Sequence, residues 1–197
     1  MEPNTVLPYV VTAPIPTERL SLRLMTSTDV DDVYAYHSLQ EVCRYLLFEP
    51  RSRDKVVEKV DEFSKATTLA ADGDFLQLAL ELPPTDDAPA RVIGDSFFKL
   101  TSIAEAQGEI GWTMNPAFTR RGYAAEAAQT MLGVAFEKIG LHRVIANLDP
   151  RNDASVALCL RLGMRREAHF VQDMWFKGEW ADTGIYAILR EEWLAAR

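Results

Sequence analysis

Two adjacent arginines and a glycine stand directly before an alanine-rich run, a combination typical of an anion-binding loop. The segment reads TRRGYAAEAA over residues 119–128. A helix that begins at the glycine would present free N–H groups and the positive end of its dipole to a phosphate. The arginines could pair with phosphate or could simply be solvated. The candidate pyrophosphate-binding residues are Arg120, Arg121, Gly122, Tyr123, Ala124 and Ala125.

A second group of polar residues stands at the start of a later helix. Asn152 and Ser155 flank the first turn of a helix that we expect over residues 153–162. Asparagine is a favoured N-cap, and a serine at the third helical position suits a capping network. Capping alone would therefore account for both residues, and a role in chemistry is the alternative.

The hydrophobic periodicity predicts the elements that would position these residues. Strands are predicted at 19–25, 75–82, 91–100, 108–114, 142–148, 164–175 and 183–189. Helices are predicted at 27–39, 53–69, 122–139 and 153–162. The order β-α-α-β-β-β-α-β-α-β-β indicates a mixed α/β domain over residues 17–197. Residues 1–16 carry four prolines and no periodicity, so we expect an extended arm there.

The composition restricts the class of function. A net charge of -8 argues against a general nucleic-acid binder. It suits a cationic acceptor, although an acidic surface also serves solubility. The only cysteines are Cys43 and Cys159, and the three histidines are scattered, so we expect free thiols and no metal site. No apolar run reaches membrane-spanning length, and we expect a soluble cytoplasmic protein that binds no membrane.

Four segments resemble the GCN5-related N-acetyltransferase (GNAT) family. Its pyrophosphate loop is commonly Gln/Arg-x-x-Gly-x-Gly/Ala, and residues 119–124 match it except that Thr119 replaces the first residue. TERLSLRLMTSTDVDDVY, DPRNDASVALCLRLGMRREA and WFKGEWADTGIYAILREEW resemble its ribosomal-protein-alanine N-acetyltransferase subgroup. The resemblance implies a single mixed, mostly antiparallel, twisted sheet of about seven strands flanked by helices.

The resemblance also implies where acyl-CoA would bind. The pantetheine arm would lie between two strands that splay apart, 109–114 and 144–148, and would pair with strand backbone. The backbone near Trp112, Thr113 and Met114 would face the thioester, with Asn147 on the second strand nearby. Asn152 would contact the cofactor, and Ser155 would donate to the leaving thiolate. The usual general acid is a tyrosine on this helix, but none stands between Asp149 and Gly163, which leaves the acid open.

An amine acceptor must lose a proton before it attacks, since its pKa is about 10 for a lysine-type group and about 8 for an α-amine. Glu109 stands where many family members carry a catalytic glutamate, although it could be a solvated residue. For Glu126 we expect only stabilisation of the helix N-terminus. His37 and Trp175 would line the acceptor cleft, with structural roles as the alternative.

The sequence therefore predicts an acetyl-CoA-dependent N-acetyltransferase that acts by direct transfer in a ternary complex. The acceptor would be a protein N-terminus or a small-molecule amine, and the protein a monomer or homodimer. The alternative is a non-catalytic acyl-CoA-binding or regulatory module with the same fold, which the departures at Thr119 and at the missing tyrosine would favour. A third interpretation is a protein that binds no ligand.

Overall fold

The structure is a computed structural model that describes residues 5–196, and its centre is an eight-stranded mixed sheet. The strands are β1 (Tyr9–Val10), β2 (Ile15–Pro16), β3 (Ser21–Leu24), β4 (Thr68–Leu69), β5 (Phe75–Leu82), β6 (Arg91–Ser102), β7 (Gln107–Met114), β8 (Arg143–Leu148), β9 (Arg165–Phe176) and β10 (Glu179–Leu189). The order in the large sheet is β2-β3-β5-β6-β7-β8-β10-β9, and β1 and β4 form a separate pair. Every neighbouring pair is antiparallel except β7–β8.

The helices lie on both faces of this sheet. They are α1 (Val30–His37), α2 (Gln40–Cys43), α3 (Arg53–Lys65), α4 (Tyr123–Gly133), α5 (Asp153–Arg161) and α6 (Arg190–Ala195). A π-helical segment, Val134–Ile139, continues α4. On one face, here called the α4 face, α4 and α5 cover buried side chains that include Phe98 and Ile110. On the other, the α1 face, α1 and α3 cover Ala79 and Val92.

The predicted fold class and element order are confirmed. The differences are in short elements and in the helix predicted at 53–69, which ends at Lys65 and is followed by β4 at Thr68–Leu69. The predicted sheet had about seven strands, and the eighth is the two-residue β2, which pairs with β3. The two-residue strands, α2 and α6 are too short to show a period in the sequence. The predicted arm contributes β1 and β2, and the Val6 N–H donates to the Ile139 carbonyl at 2.7 Å. The domain boundary at residue 16 stays a prediction, and residues 1–4 and 197 lie outside the described part.

The last hairpin is longer than predicted. The sequence predicts strands at 164–175 and 183–189, but β9 ends at Phe176 and β10 begins at Glu179, so the turn is only Lys177 and Gly178. Both turn residues have left-handed backbone, with φ of 50° and 82°. Two such residues suffice to reverse an antiparallel pair, so the strand resumes at once.

A gap opens in the sheet between the carboxyl ends of β7 and β8. Their parallel pairing runs from Gln107–Arg143 to Glu109–Ile145. Beyond that point β7 stays paired with β6 up to Met114, and β8 stays paired with β10 up to Leu148. The two strands therefore diverge, and the gap joins the two faces of the sheet.

Candidate active site

A cavity of about 650 Å³ lies at this gap. Its walls come from the end of β7, the loop before α4, the first turn of α4, one side of α5 and the segment after α1. Ten predicted site residues line it: Trp112, Thr113, Met114, Arg120, Gly122, Tyr123, Ala124, Ala125, Asn152 and Ser155. The other predicted residues, Glu109, Arg121, Asn147, His37 and Trp175, lie outside the lining.

The loop before α4 has left-handed backbone at two positions. Gly122 has φ of 85° and directly precedes α4, and Arg120 has φ of 61°. A Cβ at Gly122 would lie 3.2 Å from the Arg19 guanidinium, so a side chain there would be both strained and crowded. The first N–H groups of α4 have no partner within the helix, and they begin where the loop meets the cavity. This geometry suits a diphosphate.

The two arginines of the loop differ in direction. Arg120 lines the cavity. The Arg121 guanidinium instead lies 5.6 Å from the centre of the Phe118 ring. Thr119, which departs from the family pattern, uses its hydroxyl to donate to the Pro116 carbonyl at 2.9 Å. Its side chain therefore shapes the loop, and Arg120 is the arginine available to an anion in the cavity.

Glu126, one turn into α4, holds the loop against the first strands. Its carboxylate accepts hydrogen bonds from the Thr17 hydroxyl, from the Arg19 backbone N–H at 2.6 Å and from the Arg19 Nε at 2.7 Å. Burial by itself raises the pKa of Glu126, but these hydrogen bonds outweigh it and hold the pKa below its ordinary value. Besides the expected stabilisation of the helix N-terminus, Glu126 therefore forms a tertiary ion pair with Arg19.

The end of β7 presents both backbone and side-chain groups to the cavity. The Asn115 N–H donates to the Ile93 carbonyl of β6 at 2.9 Å. Because N–H directions alternate along an antiparallel pair, the N–H groups of Met114 and Trp112 point away from β6, toward the gap. Close contact with β6 depends on Gly94, since a Cβ there would lie 2.5 Å from the Thr113 carbonyl oxygen.

Ser155 lies within hydrogen-bonding distance of Trp112. The Trp112 Nε1–H donates to the Ser155 Oγ at 3.3 Å. An indole N–H can only donate, so the serine oxygen accepts and its own hydrogen remains for another acceptor. Asn152 caps α5, because its Oδ1 accepts from the Ser155 N–H at 3.2 Å. The capping that we predicted is therefore present, and both side chains also reach the cavity.

Glu109 lies on the α1 face of β7. Asp95 of β6 contacts α1, since the Tyr36 hydroxyl donates to it at 2.7 Å. Thr113 is opposite Asp95 in the register, and Glu109 is four residues earlier, so both side chains are on that face. Burial raises the pKa of the Glu109 carboxyl, and Lys99, opposite it on β6, offsets part of the effect.

His37 is part of a buried polar network and does not reach the cavity. It is 2% exposed. Arg51 donates to its Nδ1 at 2.9 Å, so the ring hydrogen is on Nε2, which donates to Asp95 at 2.9 Å. Asp95 also accepts from Gln77 at 2.6 Å. The structural role that we considered for His37 thus has direct support in its contacts.

Trp175 lies at the outer end of the last hairpin. It is 62% exposed, so core packing does not explain it, and its ring meets Trp180 edge-to-face at 5.4 Å. The hairpin turn is held to the rest of the domain by Lys177, whose Nζ donates to the carbonyl oxygens of Cys43 and Phe48. Asn147 is exposed on β8, near the gap but outside the cavity lining.

Sequence reasoning missed eight lining residues. Four of them, Ala154, Ala157, Leu158 and Arg161, follow helical spacing on α5, so they could have been found from Ser155 by periodicity. Phe118 and Thr119 belong to the loop itself. Val42, which packs on the far side of the sheet, and Leu46 come from α2 and the turn after it, and no local pattern reveals them.

Both cysteines are free thiols, and both are buried. Burial raises the pKa of Cys159 to about 12 and also raises that of Cys43. Thiols with such pKa values are poor nucleophiles. Within residues 5–196, no cluster of three or more His, Cys, Asp or Glu side chains is arranged to hold a metal ion, and none of the helices is long and apolar enough to cross a membrane.

Comparison with known proteins identifies the family. Residues 19–165 match the model of the acetyltransferase (GNAT) domain. The uncharacterized N-acetyltransferase YnaD of Bacillus subtilis is 34% identical over 184 residues, which are 91% of this chain and 98% of that protein. A GNAT-family acetyltransferase from Bacillus anthracis superposes with a TM-score of 0.78 at 30% identity, covering 91% of this chain and 99% of that structure. The [ribosomal protein uS5]-alanine N-acetyltransferase of Escherichia coli is 25% identical over 88 residues, 45% of each protein. The chain therefore belongs to the GNAT family of N-acetyltransferases.

Proposed function

We propose that this protein transfers an acetyl group from acetyl-CoA to a primary amine by direct attack in a ternary complex. One observation carries the proposal: a single cavity extends from the loop before α4, on one face of the sheet, to Val42, which packs on the other face. It passes the gap between β7 and β8. A substrate bound in it would have its diphosphate on the α4 face and its thioester near the α1 face, where Glu109 lies.

The residues present fit acetyl-CoA as a co-substrate. The α4 N-terminus, Gly122 and Arg120 would hold the diphosphate, and Arg161 lines the same cavity as a further cation. The N–H groups of Trp112 and Met114 would pair with the pantetheine and polarise the thioester carbonyl. Arg121 and Asn147, which lie outside the lining, would contribute less than the sequence predicts.

Glu109 is the proposed general base. An ammonium group loses one proton to the Glu109 carboxylate, directly or through water, and the amine nitrogen then attacks the thioester carbonyl carbon. As the carbon–sulfur bond breaks, the nitrogen loses its second proton to water and the thiolate leaves. Ser155 would donate its free O–H to that sulfur. The raised pKa of Glu109 brings it closer to the operating pH, which suits a base.

The acceptor would be either the α-amine of a protein N-terminus or a small amine. The partial likeness to the ribosomal-protein-alanine enzyme supports the first, and the subgroup assignment is part of this proposal. Trp175 would lie at the outer wall of the acceptor cleft, and the buried His37 would support the cleft through Asp95 and Arg51 without touching the acceptor. We further propose that the protein is cytoplasmic, which the buried free thiols support. We also propose that it is a monomer or a homodimer.

The test is acetyl-CoA binding by calorimetry, followed by mass-spectrometric detection of acetylated product. The acceptor panel should contain N-terminal peptides, alanine-first peptides among them, and di- and polyamines. Gly122→Glu places a carboxylate in the diphosphate cradle. Gly73→Glu is its matched control, since Gly73 also has positive φ, 92°, and lies outside the cavity lining.

We expect wild type and Gly73→Glu to bind acetyl-CoA and Gly122→Glu, still folded, to lose binding. Equal binding by the two variants would overturn the location of the site. Binding without product on any amine of the panel would favour the non-catalytic module. Absence of binding by the wild type would contradict both and leave the fold without this ligand.

A further inference from the structure

We infer that the short segment after α1 forms the end wall of the acyl site, and that Val42 and Leu46 limit the length of the acyl group. The inference rests on the proposed function, because it assigns an acyl-CoA to the cavity. It adds the chemical class of acyl group that the site takes: acetyl is accepted and longer unbranched chains are excluded.

The positions of Val42 and Leu46 in the fold identify the end wall. The polar groups that suit a diphosphate, including Arg120, are at the α4 end of the cavity. Val42 packs on the α1 face, so the end of the cavity that it lines is opposite the diphosphate end. In acyl-CoA the acyl group is likewise at the opposite end from the diphosphate. Val42 and Leu46 are both apolar, and they would therefore meet the acyl chain.

The backbone of the segment presents both side chains to the same side. Val42 and Leu46 are four residues apart, and the Leu46 N–H donates to the Cys43 carbonyl at 3.0 Å, which continues the turn of α2. Residues at this spacing share a face. Cys43 is fully buried and Leu47 is 75% exposed, so the segment has a core side, a solvent side and a cavity side.

The segment is also held in place at several points, as a size limit requires. Lys177 bonds the carbonyl oxygens of Cys43 and Phe48 and so braces the turn from the hairpin. On the other side, the Arg51 N–H donates to the His37 carbonyl at 2.9 Å, which closes the base of the loop. A segment fixed at these points cannot easily move to make room for a longer acyl chain.

The experiment compares acetyl-, propionyl- and butyryl-CoA on wild type, Leu46→Ala and Leu47→Ala. For Leu46→Ala we expect the ratio of kcat/KM for butyryl-CoA over acetyl-CoA to rise about tenfold, the effect of admitting two extra methylene groups. Leu47→Ala, one residue away and facing solvent, should leave the ratio unchanged. Val42→Ala is the second enlarging variant and should act in the same direction, which guards against a folding defect in one of them.

Calorimetric affinities for the same three acyl-CoAs provide a readout that needs no acceptor. A tenfold rise, in Leu46→Ala, of the affinity for butyryl-CoA relative to acetyl-CoA would support the inference even if no amine is acetylated. The inference can therefore be tested separately from the proposed function. An unchanged ratio in folded variants that bind acetyl-CoA would overturn it. So would a change in acceptor KM that is equal for all three acyl-CoAs, because the two side chains would then contact the amine.

Discussion

Arg19 and Glu126 form an ion pair of 2.7 Å between residues 107 positions apart in the sequence. The pair joins the chain just before β3, near one edge of the sheet, to the first turn of α4, and the Arg19 Nη1 also donates to the Arg121 carbonyl at 2.9 Å. The Arg19 guanidinium further lies 4.6 Å from the centre of the Tyr123 ring. One arginine thus contacts the candidate diphosphate loop at Arg121 and the first turn of α4 at Tyr123 and Glu126, so the shape of this loop depends on the first strands.

Replacing Glu126 with Gln should lower stability in a pH-dependent way. The variant loses a charge-assisted pair that is partly exposed, so we expect a loss of about 1 kcal/mol in the free energy of unfolding at pH 7. The folded-state pKa is lowered, so this contribution is complete above the ordinary value of 4.5 and disappears as the pH falls through the lower folded value. Denaturant titrations at pH 7 and pH 3.5 measure the difference. Glu18→Gln, a change at an exposed neighbour, is the control, and an equal difference at both pH values would contradict the prediction.

The strand, loop and helix around Gly122 could be predicted from the sequence because each carries a local signal. Alternation marks β7, proline and glycine end it, and helical spacing marks α4. The different directions of Arg120 and Arg121 could not be predicted, since they depend on a left-handed backbone at Arg120, a residue type that rarely adopts it.

The end of the cavity that Val42 and Leu46 line was also beyond local patterns. Val42 and Leu46 belong to a four-residue helix and the turn after it, which tertiary contacts hold on the far side of the sheet. Lys177 in the last hairpin bonds this segment directly, and the network around Asp95 in β6 fixes His37 at the end of α1, just before it. Pairings of such long separation follow from the folded structure, and residue type alone does not reveal them.

Removal of the Asp95 carboxylate should destabilise the protein strongly. Asp95→Ala leaves the Tyr36 hydroxyl, the His37 ring N–H and the Gln77 amide buried without their acceptor. We expect a loss of about 3 kcal/mol or more in the free energy of unfolding, measured by denaturant titration. Asp86→Ala, in an exposed loop, should change it by less than about 0.5 kcal/mol. A loss below about 1 kcal/mol for Asp95→Ala would mean that the network contributes little.

The two roles of Asn152 can be separated by two substitutions. Asn152→Ala removes the cap on the Ser155 N–H and should cost about 1 kcal/mol of stability. Asn152→Ser keeps a capping oxygen and should recover most of that loss. If the amide also contacts acetyl-CoA, the serine variant will be stable yet still weaker in calorimetric binding. Full recovery of both stability and affinity would assign Asn152 to capping alone.

Glu109→Gln should lower activity, while its stability relative to wild type should increase with pH. Loss of the base should lower kcat/KM by about 100-fold or more, while acetyl-CoA affinity stays unchanged. The folded-state pKa is raised, so the wild type loses stability as the pH rises from the ordinary value of 4.5 through the folded value. The amide variant has no such loss. Relative to wild type, its free energy of unfolding should therefore be higher at pH 7 than at pH 4.

The pH profile of kcat/KM distinguishes a base from a packed carboxyl. In the wild type, activity should fall on the acid side with an apparent pKa above 4.5, because a protonated Glu109 cannot accept the proton. That limb should vanish from the residual activity of Glu109→Gln and persist in Glu105→Gln, a control at an exposed residue before β7. Wild-type activity in Glu109→Gln, with the limb intact, would show that another group removes the proton, and Glu109 would then only be a half-buried carboxyl whose ionisation lowers stability.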